Sequence, residues 1–215
     1  YKAETPGPVK DEKLTPRITQ TARDLWFVYL LITIACIVSL RIAGMGWFDA
    51  VCHAFATLAL GGFSTYDASV GHFDSPAIEF VLIVFMLISA MNFARHFIAW
   101  QQKSLKTYAT DVEAKAMLAV IGVATIGLAL YVWQHGVYPS FWTALRHVAF
   151  NLVSIATDCG FVSQDYAAWP MFAPMIILML SCYCANTGST GGGITMFRTL
   201  VLFRQAVREL FLLVH

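Results

Sequence analysis

Three stretches of the chain, Leu25 to Ala43, Pro76 to Trp100 and Ala116 to Trp133, are almost wholly apolar. Each is close to the ~20 residues that a helix needs to cross a bilayer. In lipid every backbone amide and carbonyl must find a partner within the protein, so such segments fold as helices. A fourth apolar run begins near Pro170. Composition agrees: 58% of the 215 residues are hydrophobic and 13% charged, with a mean hydropathy of +0.65, against roughly a quarter charged in soluble domains. The fold class expected is an all-α integral membrane protein. A net charge of +1 gives no basis for a nucleic-acid partner. The cysteines (Cys36, Cys52, Cys159, Cys182, Cys184) lack metal-binding spacing and read as free, mostly buried thiols. The polar opening YKAETPGPVKDEK has no apolar core and is not a signal peptide. With Tyr1 first and a blunt end at His215, the sequence reads as an internal piece of a longer chain.

Lysine and arginine set the orientation. Lys2, Lys10, Lys13, Arg17 and Arg23 precede the first span. Lys103, Lys106 and Lys115 follow the second, and Arg198, Arg204 and Arg208 follow the fourth. The positive-inside rule then makes the 1–24 arm, the 101–115 loop and both termini cytoplasmic. Trp47, Trp133, Trp142 and Trp169 are expected to form an aromatic belt at the opposite interface.

The two outer connections are too apolar for ordinary loops. WFDAVCHAFATLAL (47–60) and PSFWTALRHVAFNLVSIA (139–156) read as short helices, and each leads into a Gly-Phe turn, GGFSTYD at 61–67 and TDCGFVSQD at 157–165. A short apolar helix, a polar glycine turn and a return make a re-entrant segment, tolerated at depth only where protein buries it or water reaches it. Superposing Gly62-Phe63 on Gly160-Phe161 also brings Asp67 onto Asp165, at an offset of 98 residues. The chain therefore reads as two repeats of span, dip and span, covering 25–100 and 116–215. Internal repeats of this kind build many transport proteins.

Such a dip suits a cation. Backbone carbonyls in a tight loop replace hydration water, and glycine reaches the required backbone angles cheaply. Gly61, Gly62 and Gly160 meet that demand, with hydroxyls from Ser64, Thr65 and Thr157 nearby. The negative C-terminal ends of the two short helices favour a cation, and Asp67, Asp74 and Asp165 would make the outer mouth mildly attractive to one.

CANTGSTGGGITMFR (184–198) interrupts the fourth apolar run with four glycines and no charge before Arg198. Each glycine costs a helix about 1 kcal/mol relative to alanine. A phosphate loop is excluded, because GSTGGGIT lacks the lysine and the preceding strand. Gly188 and Gly192 have the spacing of a close-packed helix face, but a triple glycine exceeds what packing needs. The remaining reading is a loop within the membrane whose hydroxyl and amide side chains satisfy its own backbone.

GGFSTYDASVGHFDSP (61–76), GSTGGG (188–193) and the span–dip–span unit resemble the TrkH-type potassium transporters of the Trk/Ktr/HKT superfamily, and the similarity runs over essentially the whole chain. The resemblance implies four such units around one pore, of which these are the second and third. It implies that Leu60, Gly61, Gly62, Phe63, Thr157, Asp158, Cys159, Gly160 and Phe161 form filter segments, with potassium held at Gly62 and Gly160. It also implies that the loop at 185–195 (Asn186, Thr187, Gly188, Ser189, Thr190, Gly191, Gly192, Gly193) is a gate below the filter. No enzymatic activity and no cofactor beyond the transported K+ follow. A bacterial inner-membrane location, a homodimer and a cytoplasmic TrkA-like nucleotide-binding subunit are further implications. The chain departs from the usual pattern at Asp158 and Cys159, where relatives carry threonine and alanine, and at Thr195, where relatives often carry lysine. Asp158 is expected either to tune affinity or, by preference, to point away from the pore and pair behind it. Two other classes stay open: an ion-coupled symporter, for which only Glu79 lies near a span, and a non-conducting assembly subunit.

Among the remaining polar residues, Arg95 and His96 are expected at the inner interface, snorkelling or closing a helix end. Asn92 is expected to hydrogen-bond between helices or to line the inner cavity. His53 and His72 have no metal-site spacing.

Overall fold

The computed structural model of the protein describes residues 18–104 and 106–214. Lys2, Lys10, Lys13 and Arg17, and with them most of the 1–24 arm, lie outside the described residues. Helix α1 (Ile18–Ile42) is the first span, and its Arg41 closes the end by donating to the Met45 carbonyl oxygen (3.0 Å) while resting over the Trp47 ring. Helix α2 (Trp47–Leu58) is the first dip. Pro76 opens α3 (Pro76–Ser89) at the position where a missing N–H costs nothing.

The second apolar run is not one straight helix. It bends by 95° between α3 and α4 (Phe93–Gln102). Neither glycine nor proline marks the break; polar groups stabilise it. The Asn92 side chain caps α4 by accepting from the Ala94 amide (2.8 Å), a role other than the interhelical bond or cavity lining expected of it. His96, 6% exposed, bonds the Ile88 carbonyl oxygen that the bend frees (2.9 Å) and the Tyr108 hydroxyl (2.8 Å). Arg95 sits 3.7 Å from Asp111. Both residues therefore bind protein groups rather than snorkel.

A short helix α5 (Lys106–Ala109) leads to α6 (Val112–Gln134), which Asp111 caps and which, with α1, is long and apolar enough to cross a membrane. Helix α7 (Phe141–Ala156) is the second dip and packs against α6 and α3. The last apolar run is broken as its glycines suggest. Helix α8 (Phe172–Ser181) ends early, an irregular loop follows, and α9 (Met196–Val214) resumes. No strand occurs among the described residues. Trp47, Trp133 and Trp142 are exposed as an interfacial belt requires, but Trp169 is buried and donates to the Tyr138 hydroxyl, so it is a packing residue.

The second dip is joined to the first repeat by charge. Arg146 of α7 donates to both carboxylate oxygens of Glu79 on α3 (2.8 and 3.0 Å) and to Asp74 (2.8 Å). Glu79 is buried, so this pair ties one repeat to the other and neutralises the carboxylate singled out near a span. It also pairs Asp74, one of the acids expected at the outer mouth.

Candidate functional site

The 98-residue repeat recurs at the level of single hydrogen bonds. α2 ends at Leu58 and α7 at Ala156. Beyond the first end, the Leu60 amide donates to Thr57 and the Gly61 amide to Ala56; beyond the second, Asp158 donates to Ile155 and Cys159 to Ser154. The backbone then enters the left-handed region twice in each copy, at Leu60 (φ 51) and Gly62 (φ 65), and at Asp158 (φ 62) and Gly160 (φ 90). A non-glycine residue in that region costs free energy that the surrounding packing must offset. Finding the same pair of positions twice shows that the two turns are built to one plan.

The turns also touch. A Cβ at Gly62 would collide with the Cys159 carbonyl oxygen and lie 3.0 Å from the Gly160 carbonyl carbon, so only glycine allows this approach. Gly160 has no such neighbour; its glycine is required by φ alone. The segment after each turn is fixed by a buried polar residue of its short helix. His53 holds the Ser64 hydroxyl (2.9 Å). Asn151, 98 residues on, donates to the Ser163 hydroxyl (3.1 Å) and accepts from the Ser163 amide (3.2 Å). Both struts escaped the sequence analysis, although the repeat offset brings His53 onto Asn151. The copies are cross-linked as well: the Gly71 amide donates to the Val162 carbonyl oxygen (3.1 Å), and the Val162 amide to the Ser69 hydroxyl (3.3 Å).

Phe63 and Phe161 occupy matching positions in very different surroundings. Phe161 is fully buried and stacks on His53 of the other repeat, ring centroids 5.6 Å apart. Phe63 is 81% exposed.

Under both turns runs the glycine-rich loop. Gly191 faces the Thr157 carbonyl oxygen and the Leu60 side chain, with its Cβ direction 3.3 and 3.5 Å from them. The Thr190 hydroxyl donates to the carbonyl oxygens of Leu58 (3.1 Å) and Ser89 (3.3 Å). The bend between α3 and α4 is the other wall. The Asn186 amide donates to Ala90, the Thr190 amide to Ser89 and the Phe93 amide to Gly188. Gly188 (φ 79) lies so close to Asn92 that an added Cβ would sit 3.0 Å from its side-chain nitrogen. From the N-terminal end of α6, Glu113 accepts the Thr187 amide (2.9 Å). Asp158 is exposed rather than paired behind the turn, with its Oδ2 atom 3.5 Å from the Cβ direction of Gly192. The loop thus carries no charge of its own and is held by one carboxylate from outside, Glu113.

Of the residues singled out from the sequence, Leu60, Gly61, Gly62, Phe63, Thr157, Asp158, Cys159, Gly160 and Phe161 lie in the two turns and Asn186 to Gly193 in the loop beneath them. No cluster of three or more metal-ligating side chains occurs among the described residues.

The family model described as TrkH, cation transport protein, matches residues 1–211. Over 215 residues the chain is 46% identical to the Trk system potassium uptake protein TrkH of Salmonella typhimurium, all of this chain against 44% of that one. It is 41% identical over 215 residues to TrkG of Escherichia coli, with the same coverage. The crystal structure of the potassium transporter TrkH from Vibrio parahaemolyticus superposes with a TM-score of 0.90 at 44% identity, covering 95% of this chain and 44% of that one. The chain thus spans less than half the length of these relatives.

Proposed function

Because the chain belongs to the TrkH family of cation transport proteins, we propose that it forms two of the pore units of a potassium uptake protein. K+ passes down its electrochemical gradient through the turns at 60–63 and 157–161, where backbone carbonyls stand in for water, and the loop at 185–195 gates it from below. The observation that carries this reading is the paired geometry. Two turns with the same left-handed positions meet at Gly62, and the uncharged loop lies under both. The short helices α2 and α7 end at these turns, and their C-terminal dipoles favour a cation there.

Passive permeation is favoured over ion-coupled symport because Glu79 is committed to Arg146 and is not free to bind a coupling ion. A pore of more than two units is supported by Phe63. By the symmetry that seats Phe161 on His53, Phe63 belongs on the short helix of a preceding unit. The proposed setting is a bacterial inner membrane with the 101–115 loop on the cytoplasmic side, a homodimer, and a cytoplasmic nucleotide-binding subunit of the TrkA kind. Glu113 gives such a subunit, docked on the 101–115 segment, a direct mechanical connection to the gate loop.

The test uses a bacterium lacking potassium uptake that expresses the full-length parent or its Gly160→Ser variant, together with the regulatory subunit. Serine meets no steric obstacle at Gly160, so the fold survives while the turn is strained. The parent restores growth at low potassium; the variant grows more slowly and admits sodium. Equal growth and equal K+/Na+ discrimination would move the selective path away from this turn.

A further inference from the structure

We infer that Asp49 is a positioning residue for the first filter turn: the two oxygens of its carboxylate fix Thr65 and Tyr66, just beyond the turn, and so set where the turn's backbone oxygens lie. The inference rests on the filter reading above and adds a side chain, outside the turn, that this reading leaves unused.

An acidic residue in the first turn of a helix is favoured there by the helix dipole alone, so the identity of Asp49 says little. Where its oxygens go says more. Asp49 is half-buried in the first turn of α2. Its Oδ1 atom accepts the Thr65 hydroxyl (2.7 Å) and its Oδ2 atom the Tyr66 hydroxyl (3.3 Å). The Asp49 backbone takes part too, its carbonyl oxygen accepting from Nδ1 of His53 one helical turn on (2.8 Å). A carbonyl oxygen can only accept, so Nδ1 carries the proton. Nε2 of the same ring meets the Ser64 hydroxyl (2.9 Å), and that hydroxyl accepts the Tyr66 amide (3.2 Å). All three residues after Phe63 are thus held from one turn of α2.

The second repeat shows why the carboxylate is needed. There Asn151 matches His53, and it too donates to the carbonyl oxygen four residues back, that of His147 (2.9 Å). Its amide still reaches both the hydroxyl and the backbone amide of Ser163. A histidine ring has only two nitrogens, and with one spent inside α2 a single contact is left for the segment. Asp49 supplies the bonds that His53 cannot. The residue 98 positions on from Asp49 is His147, whose ring stacks on Tyr138 instead (centroids 5.2 Å apart). The carboxylate strut therefore belongs to the first turn alone among the two. That turn is fixed at two points, at Gly62 against the Cys159 carbonyl oxygen and beyond Phe63 by Asp49. Releasing the second point lets the oxygens that replace hydration water spread, and discrimination between K+ and Na+ falls.

The experiment measures K+ and Na+ uptake into proteoliposomes holding the full-length protein or its Asp49→Ala, Asp49→Asn, Thr65→Val or Gly160→Ser variant. Alanine removes both acceptors and suits a helix. Asparagine keeps an acceptor for Thr65 and offers Tyr66 an N–H, without the charge. The K+/Na+ ratio is expected to fall about tenfold in Asp49→Ala, the order expected for loss of one charge-assisted hydrogen bond. Thr65→Val falls less, and Asp49→Asn recovers most of the loss. A parent-like ratio in Asp49→Ala overturns the inference. So does an Asp49→Asn as impaired as Asp49→Ala, which would make the charge rather than the position the active feature. Should Asp49→Ala fail to fold, Thr65→Val decides, and a parent-like ratio there overturns the inference. Gly160→Ser separates the levels. If it lowers the ratio while Asp49→Ala does not, only the role of Asp49 is lost; if it leaves the ratio untouched, the filter reading has failed and this inference with it.

Discussion

Replacing Gly62 with alanine in the full-length protein is expected to abolish potassium-dependent rescue, whereas alanine at Gly160 leaves the protein folded and partly active. Both residues have a positive φ, for which an alanine costs roughly 1–2 kcal/mol. Only at Gly62 does the new methyl group also collide with backbone, the Cys159 carbonyl oxygen and the Gly160 carbonyl carbon. Backbone in a tight turn has no rotamer to yield. The two turns must separate, and the oxygens that replace hydration water separate with them. The measurement is rubidium uptake into proteoliposomes, alongside thermal unfolding in detergent. If Gly62→Ala proves no worse than Gly160→Ala, the close approach of the turns does not matter to transport.

Arg146→Met carries the second large effect, on stability rather than on the ion path. Removing the guanidinium leaves Glu79 buried and uncompensated, for which about 3–5 kcal/mol is the usual cost. Asp74 contributes little to that figure, because its side chain is 75% exposed. The companion variant Glu79→Leu with Arg146→Met is expected to regain most of the loss, since an apolar pair of similar volume can replace a buried ion pair. Unfolding midpoints of the single and double variants decide the matter. A single variant within ~1 kcal/mol of the parent would mean that water reaches Glu79 and that the pair does not join the repeats.

How much of this was legible beforehand depends on the range of the forces involved. The repeat was readable because it rests on local patterning: an apolar short helix, a glycine, a phenylalanine, and the same order 98 residues later. The break at 182–195 was readable because glycine disfavours helix by itself. The 95° bend after Ser89 was not. Ala90, Met91 and Asn92 form no breaking motif, and the bend exists because Asn92, His96 and the distant loop that begins at Asn186 satisfy the freed backbone. Arg146 and Glu79 are likewise 67 residues apart and meet only in the folded chain. Asp158 fell between these cases. Its identity marked it as unusual, but the direction of its side chain depends on a positive φ that sequence patterning does not reveal. His53 and Asn151 could have been found by pressing the repeat further, since the same offset relates them; histidine and asparagine simply do not look alike.

The most direct test of the central claim is to locate the ion. Crystals of the full-length protein grown with rubidium or thallium in place of potassium are expected to show an anomalous peak flanked by the backbone oxygens of the 60–62 and 158–160 turns, above the glycine-rich loop. A peak that lies instead beside a side-chain carboxylate such as Glu79, with none at the turns, would contradict the account.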